Sequence, residues 1–256
     1  MSRAPTEIAA AVLVRSVPYG EADRIVTLLT ESRGKVALMA RGARRSKKRF
    51  GSALEPYALL EAEFSIGRGE IGRLAKARVV RAFPGLLRSL EKIGIGAAVL
   101  ELVRETAGDH EAPDERLLPT LVRLFERLEA ADGDEVRRIH AAFVLRVLTL
   151  TGHSPNLERC GECGRLAPEG KAALFDPKQG SIRCRACGGA PIKLSGGLRQ
   201  AMISAGTRAW DEADPRLDPV GSVAVDEFLE WHLSRRLAGG ELLSQFQDVE
   251  RGVSDE

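Results

Sequence analysis

The chain has 256 residues, of which 44% are hydrophobic and 29% are charged. This length and composition predict a globular protein of two or three units with a full core. No apolar run reaches the roughly eighteen residues needed to cross a bilayer, which excludes a membrane-spanning protein and predicts a soluble one. The net charge of +2 hides an uneven distribution, since residues 1–83 carry 16 Lys/Arg against 8 Asp/Glu, and residues 84–256 carry 22 against 28. The two regions are expected to have different electrostatic roles.

Five short β-rich segments separated by turn signals occupy the chain from Glu7 to about Phe83. They cover residues 11–14, 24–29, 35–40, 57–64 and 73–80. Such a set suits a small closed barrel, and the OB-fold is the common five-stranded solution, although periodicity does not distinguish it from an SH3-like barrel. The glycines of residues 67–72 match a dinucleotide fingerprint, but a strand rather than a helix follows them, which favours a hairpin.

A basic block lies between Ser32 and Leu54, where there are eight basic residues and no acidic one. Its members are Arg33, Lys35, Arg41, Arg44, Arg45, Lys47, Lys48 and Arg49. Because these charges repel one another, a partner outside the chain is expected to neutralise them. Nucleic acid is the predicted partner, since guanidinium groups grip phosphate oxygens and binding releases counterions. A solvated loop and a contact surface for an acidic protein are the alternatives.

Aromatic residues that could stack on bases are few in this region. Phe50, Tyr57 and Phe64 are the local candidates, and each is equally typical of a hydrophobic core. The pattern therefore predicts binding that is dominated by the phosphate backbone and tolerant of sequence.

After Pro84 the apolar period changes from two to 3.6, which predicts a helical region over residues 84–256. The apolar stripes are Leu86, Leu90, Ile93, Ala97 and Leu100; Leu117, Leu121, Leu124 and Leu128, with Leu118 and Phe125; and Val136, Ile139, Phe143, Val147 and Leu150. Such stripes are more typical of a bundle core than of a partner groove. Ser195 is expected to cap a further helix, and another is predicted over residues 225–237.

All four cysteines of the chain fall in two Cys-x-x-Cys pairs, Cys160 with Cys163 and Cys184 with Cys187. This spacing is typical of a structural Zn²⁺ site, in which four thiolates saturate the ion and leave no position for a substrate. Two disulfides or a redox pair are the alternatives. They are disfavoured because the chain starts at Met1 without a signal segment, which indicates a reducing cytosol. His153 could be a fifth ligand, but the sulfur set makes it redundant.

Three motifs, in this order, resemble the bacterial RecO family of DNA repair and recombination proteins. The first is the strand at residues 11–14 that leads to the Tyr-Gly-Glu-Ala-Asp of residues 19–23, and the second is the Ala-Arg-Gly-Ala-Arg-Arg of residues 40–45, followed by residues 46–50. The third is the Gly-His-Ser-Pro-Asn-Leu of residues 152–157, which runs into the cysteine pairs. The resemblance covers nearly the whole chain, whereas residues 238–244 follow the basic end of the family only loosely.

The resemblance implies an α+β multidomain protein. An N-terminal OB-fold β-barrel (residues 1–83) would precede a mainly α-helical domain (84–256), with an inserted four-cysteine zinc module at about 154–192. The implied function is recombination mediation, in which the protein binds single- and double-stranded DNA and anneals complementary strands. It would contact RecR and the C-terminal tail of single-strand DNA-binding protein (SSB), and help to load RecA. The phosphate-binding residues would be Lys35, Arg41, Arg44, Arg45, Lys47, Lys48 and Arg49, and the zinc ligands Cys160, Cys163, Cys184 and Cys187.

The motifs of common enzymes are missing from the chain. It has no Lys-x-Asp-Gly, Gly-x-Ser-x-Gly, His-Glu-x-x-His or P-loop element, so ligase, nucleophilic, zinc-protease and P-loop chemistry lack their usual residues. The prediction is a non-enzymatic protein of the cytoplasm, associated with the nucleoid. The alternative is an RNA-binding or transcription-associated OB/zinc protein, because a basic loop alone does not distinguish RNA from DNA.

Overall fold

The computed structural model describes residues 4–67, 69–108, 114–207, 217 and 219–232. The strands are β1 (Glu7–Tyr19), β2 (Asp23–Thr30), β3 (Gly34–Ala40), β4 (Ala58–Ser65), β5 (Gly72–Ala82), β6 (Asn156–Cys160), β7 (Ala173–Asp176), β8 (Ser181–Ile182) and β9 (Ile192–Leu194). The α-helices are α1 (Leu90–Thr106), α2 (Leu117–Ala130), α3 (Asp134–Leu150), α4 (Gly196–Thr207) and α5 (Pro219–His232). In these ranges, no helix has the length and apolar character that a bilayer crossing requires.

The first five strands close into a barrel in the order β1-β2-β3-β5-β4, which confirms the predicted OB-fold. Side chains alternate between core and surface along β3 and β4, and Leu38, Leu60 and Phe64 are completely buried inside. The 13-residue β1 pairs with both β2 and β4, and its register shifts between Leu13 and Arg15. Such a bulge bends a long strand, so that one strand serves two neighbours of the barrel. β4 and β5 pair antiparallel, and the glycines of residues 67–72 therefore link a hairpin, as predicted.

The chain divides into two compact units, and the first comprises Met1–Gly96 and Val103–Glu129. In this unit, α2 packs against the end of the barrel. The Phe125 ring lies 5.7 Å from the Tyr57 ring and 5.5 Å from the Phe83 ring, measured between centroids. One turn further along α2, the Glu129 carboxylate accepts from the Gly85 amide at 2.8 Å. The Phe125 ring thus packs α2 against the end of the barrel, and Glu129 binds α2 to the turn that follows β5.

Tyr57 has a left-handed backbone conformation, with φ of 62°, which is uncommon for a bulky residue. Its ring is buried, and its hydroxyl donates to the Ile93 carbonyl of α1 at 3.0 Å. The ring lies so close to Gly96 that a Cβ added there would be 2.6 Å from a ring carbon. Glycine at this position is therefore required by the close approach of the tyrosine.

The apolar face predicted for the first helix is partly wrong. Leu86 belongs to a separate 3-10 turn over Pro84–Arg88, and α1 begins only after Ser89, whose hydroxyl accepts from the Lys92 amide. Because the register is set by this cap, Leu90 and Ala97 lie at the surface. The residues of α1 that are buried instead include Ile95, Ala98, Val99, Leu102 and Val103. The stripe predicted for α2 is buried in full.

The second unit comprises Ala97–Leu102 and Ala130–Glu256. A four-stranded sheet of order β6-β8-β7-β9 lies between α3 and α4 in the sequence, as expected for an inserted module. Its Phe175 ring packs 6.4 Å from the Phe228 ring of α5. The helix predicted over residues 225–237 corresponds to α5, and its last residues, 233–237, lie outside the described residues.

Tyr57 provides a pH-dependent test of this packing. Burial raises the pKa of the Tyr57 phenol to about 12, whereas an unfolded tyrosine ionises near pH 10. Its contribution to stability is therefore complete below pH 10 and is lost as the pH rises from 10 to 12. At pH 8, we expect Tyr57→Phe to lower the free energy of unfolding by about 1 kcal/mol, through loss of the hydrogen bond to Ile93. In urea unfolding experiments, this difference should shrink above pH 10 and reverse near pH 11; a constant difference would contradict the assignment.

Candidate metal centre and nucleic-acid interface

Short turns of the second unit hold the four cysteines. Cys160 ends β6 and Cys163 lies in the turn after it, where the Gly164 amide donates back to the Cys160 carbonyl at 2.9 Å. Cys184 follows β8, and Cys187 ends the 3-10 turn Arg185–Cys187. Parallel pairing of β6 with β8 places Cys160 opposite Ile182, which brings the two turns together.

The four sulfur atoms lie within 4.8 Å of one another, and Cys163 Sγ is 3.8 Å from Cys184 Sγ. Four ligands at about 2.3 Å from a tetrahedral centre would be about 3.8 Å apart, so this donor set fits one thiolate-binding metal ion. All four cysteines are free, which contradicts the disulfide alternative. His153 is exposed and its ring bonds to the Thr151 hydroxyl at 3.3 Å, outside the sulfur cluster.

The thiols of the cluster differ in acidity. The pKa of the Cys160 thiol is lowered to about 6, because backbone N–H groups, first that of Cys163 and then that of Cys184, donate to its sulfur. The pKa of the Cys187 thiol is raised to about 12, because it shares hydrogen bonds with the neighbouring thiols, first Cys184. Because metal ions bind thiolates, binding of an ion at this cluster would release the thiol protons.

Arg199 of α4 ties the module to the helix that follows it, a role that the sequence did not reveal. The side chain is buried, and its guanidinium donates to the carbonyls of Leu157 (2.9 Å), Pro168 (2.5 Å) and Lys171 (3.2 Å). Ser195 caps the same helix, as predicted, by accepting from the Leu198 amide at 3.1 Å. A single buried cation therefore satisfies three carbonyls of a loop-rich segment.

In the first unit, the basic residues 41–49 lie in the connection between β3 and β4. Arg41, Arg44, Arg45, Lys47 and Lys48 are exposed. Of these, the Arg44 guanidinium donates to the Glu21 carbonyl at 3.2 Å. The side chains of Arg41, Arg45, Lys47 and Lys48 have no hydrogen-bond or ion-pair partner in the described part of the chain. Four cations in eight residues are thus without an internal counter-charge.

Three internal contacts fix the backbone of this connection. The Gly42 amide donates to the Asp23 carboxylate at 2.7 Å, and the Arg44 amide donates to the Ala22 carbonyl at 3.0 Å. The Arg49 guanidinium donates to the Arg41 carbonyl at 2.7 Å and lies over the Phe50 ring. These contacts hold the loop without using the four cationic side chains that have no internal partner.

Besides Arg44, two of the predicted phosphate-binding residues make internal contacts, and both are half-buried. Lys35 is half-buried on β3, where its ammonium donates to the Arg104 carbonyl in the last turn of α1 at 2.5 Å. At a rise of about 3.3 Å per residue, it lies about 20 Å along the chain from Arg41. Arg49 is half-buried as well, and it braces the loop. The structure thus groups Arg41, Arg44, Arg45, Lys47 and Lys48, and separates Lys35 from them.

The aromatic residues named as stacking candidates are buried, since Phe50, Tyr57 and Phe64 are at most 4% exposed. Each belongs to a hydrophobic contact inside the first unit, because its ring packs against the barrel or the helices. The exposed aromatic of the barrel is Tyr19 at the end of β1, which is 55% exposed. The sequence did not indicate that Tyr19 is exposed, because Tyr19 ends a strand whose earlier residues form a buried apolar run.

Comparisons with known proteins agree with these parts. Residues 3–83 match the family model described as Recombination protein O N terminal, and residues 87–241 match Recombination protein O C terminal. A protein of Anaeromyxobacter sp. (strain K), named DNA repair protein RecO, is 39% identical over 244 residues, which cover 91% of this chain and 94% of the relative. Its namesake from Myxococcus xanthus is 34% identical over 242 residues, or 92% and 96% of the two chains.

Arg199 yields a test of how the module is anchored. We expect Arg199→Met to lower the free energy of unfolding by about 3 kcal/mol or more, because three carbonyls lose a charged donor while the aliphatic bulk remains. Chemical unfolding of the full chain measures this loss. The exposed neighbour Gln200 offers a matched control, and Gln200→Met should have wild-type stability. Equal stability of the two variants would show that Arg199 is not the anchor.

Proposed function

This chain belongs to the recombination protein O family of DNA repair proteins, and from this premise we propose that it is a recombination mediator without catalytic chemistry. In this proposal it binds single- and double-stranded DNA and anneals complementary strands. Together with RecR, it helps to load RecA onto single strands coated with SSB, whose C-terminal tail it contacts. In this proposal it acts in the cytoplasm, at the nucleoid.

The observation that carries the proposal is the loop of exposed cations on the OB barrel. Arg41, Arg45, Lys47 and Lys48 have no counter-charge in the described part of the chain, and the loop is held in place by other groups. A preformed, unneutralised basic loop favours binding of a polyanion, because little ordering entropy is lost and counterions are released. In this reading, Arg44 adds to the same surface, Arg49 supports the loop from within, and Lys35 is bound to the end of α1, apart from the loop.

Annealing then has an electrostatic mechanism. Two complementary strands repel each other through their phosphates, and a cationic surface that binds both strands lowers this repulsion. The side chains of the loop contact phosphate rather than bases, so that the bases remain able to pair. No bond is made or broken by the protein in this scheme.

We propose that the cysteine cluster binds one Zn²⁺ ion with a structural role. Four sulfur donors satisfy the tetrahedral preference of zinc and leave no site for water or substrate. The segment between β6 and β9 has few buried apolar residues of its own, so that a metal ion would supply cohesion that its core lacks. The residues that would hold the ion are Cys160, Cys163, Cys184 and Cys187.

The zinc assignment predicts about one ion per chain in the purified protein, measured by elemental analysis. Cys184→Ser should reduce the metal content to near zero and lower the melting temperature, because three thiolates hold the ion less tightly than four. His153→Ala, which removes the nearby exposed histidine, should keep the full metal content. Retention of zinc by the cysteine variant, or loss of zinc from the histidine variant, would contradict the ligand set.

The annealing proposal is tested with SSB-coated complementary strands. We expect the protein to accelerate annealing, and a variant with Arg41, Arg45, Lys47 and Lys48 changed to Gln to lose that acceleration. If each cation contacts one phosphate, the slope of log affinity against log salt should become less steep by about 0.7 per contact for single strands. Annealing is followed by fluorescence quenching between labelled strands.

A matched control removes four exposed cations that already have acidic partners. Arg33, Arg78, Arg116 and Arg123 form ion pairs with Glu7, Glu61, Asp114 and Glu126. Their replacement by Gln changes the net charge equally and should leave annealing and the salt slope close to wild type. If the wild-type protein does not accelerate annealing at any salt concentration that permits binding, the mediator proposal fails. If both variants lose activity equally, net charge rather than this loop is responsible.

A further inference from the structure

We propose that Tyr19, on the outer face of the barrel beside the basic loop, stacks on an unpaired nucleotide base and thereby gives the protein a preference for single strands. This inference rests on the proposed function and deepens it. Tyr19 would distinguish unpaired from paired bases, whereas the loop cations would bind phosphate in single strands and duplexes alike.

The register of the barrel defines which side chains share the face of Tyr19. Tyr19 lies opposite Asp23 across the β1–β2 ladder, and directly opposed residues project from the same face of a sheet. Two residues earlier on β1, Val17 lies opposite Ile25, which in turn lies opposite Met39 of β3. These residues alternate with the inward-facing Val26 and Leu38, so that they belong to the outer face.

Asp23 shows that this face is the one next to the basic loop. Its carboxylate accepts from the Gly42 amide at 2.7 Å, so that the Asp23 side chain and the start of the loop lie on the same side of the ladder. Opposed Cα atoms in an antiparallel pair are about 5 Å apart, so the Cα atom of Tyr19 lies about 5 Å from that of Asp23, which makes this contact. The Tyr19 ring is therefore on the side of Arg41, at the edge of the cationic loop.

The surface around Tyr19 is open and partly apolar. Tyr19 is 55% exposed and Val17 is 37% exposed, while Ile25 and Met39 are half-buried. The Tyr19 ring makes no ring or cation contact with the residues that the structure describes. An exposed ring beside a shallow apolar floor provides the flat surface that a base requires for stacking.

Cations flank this apolar floor on several sides. Arg41 follows β3, Arg73 of β5 lies opposite Met39, and Arg15 lies two residues before Val17 on the same face of β1. All three are exposed, and their side chains have no acidic partner in the described part of the chain. An apolar platform bordered by unpaired cations complements a single strand, because its bases are apolar on their faces and its phosphates are anionic.

This arrangement discriminates between nucleic-acid forms. In a duplex, each base is stacked on its neighbours and is not available to an external ring, whereas a single strand exposes base faces. The phosphate contacts of the loop are common to both forms. Tyr19 is therefore expected to act on affinity for single strands and to leave affinity for duplex nearly unchanged.

The test compares the full-length protein with Tyr19→Leu and Tyr19→Phe, using an oligothymidine, an abasic strand of equal length and a duplex. The abasic strand has the phosphates but no bases. We expect Tyr19→Leu to weaken oligothymidine binding at least about fivefold, the lower end of what one stacked base contributes. Binding of the abasic strand and the duplex should not change, and Tyr19→Phe should bind like wild type. A 2-aminopurine base in the strand should lose fluorescence with wild type but not with Tyr19→Leu.

A control variant, Ile8→Ala, removes an exposed apolar side chain near the other end of β1 and should not alter binding. If wild type binds oligothymidine and the abasic strand equally, and Tyr19→Leu changes neither, stacking is disproved and phosphate binding stands. If Tyr19→Leu weakens both strands equally, Tyr19 supports the loop and the inference is wrong. If wild type binds no strand at all, the proposed function itself fails, which the other outcomes do not imply.

Discussion

The bond between the Asp23 carboxylate and the Gly42 amide is the contact on which the candidate nucleic-acid interface depends. It joins the β1–β2 hairpin to the start of the basic loop, and Arg49 completes the order of that loop by binding the Arg41 carbonyl. Both contacts use groups other than the exposed cations. A loop that folded by pairing its cations with carboxylates would be equally ordered, but its charges would be neutralised. Because Asp23 and Arg49 order this loop instead, the exposed side chains keep the surface cationic.

The cysteine module is also held by a few specific contacts, because it has only a small hydrophobic core. It is a short, loop-rich segment that buries few apolar side chains, and it relies on localised anchors. The first anchor is the cluster of four sulfurs, which converge within 4.8 Å. The second anchor is Arg199 of α4, which donates to the carbonyls of Leu157, Pro168 and Lys171. Because each anchor joins residues that are distant in sequence, the module is held by two points rather than by a continuous core.

Much of this organisation was predictable because it leaves periodic or compositional signals. Alternation predicted the five strands, and Cys-x-x-Cys spacing predicted the convergence of the cysteines. Contacts that leave no periodic or compositional signal decided the rest. The Ser89 cap set the register of α1 and exposed Leu90, the end of α1 engaged the Lys35 ammonium, and the β1 bulge aligned Tyr19 with Asp23. The Ser89 cap and the β1 bulge are local features that hydrophobic periodicity does not reveal, and the Lys35 contact joins residues that are far apart in sequence.

The contact of Phe125 with Tyr57 and Phe83 has a consequence for how such proteins can be recombined in evolution or in the laboratory. The barrel strands end at Ala82, yet the Phe125 ring that contacts Tyr57 and Phe83 comes from α2, some forty residues later. An exchange of domains at the end of the barrel would expose the rings of Tyr57 and Phe83 to water, because Phe125 would be lost. A fusion that ends at Glu129 would keep them covered, and it is the more natural joint for transplanting this barrel into another chain.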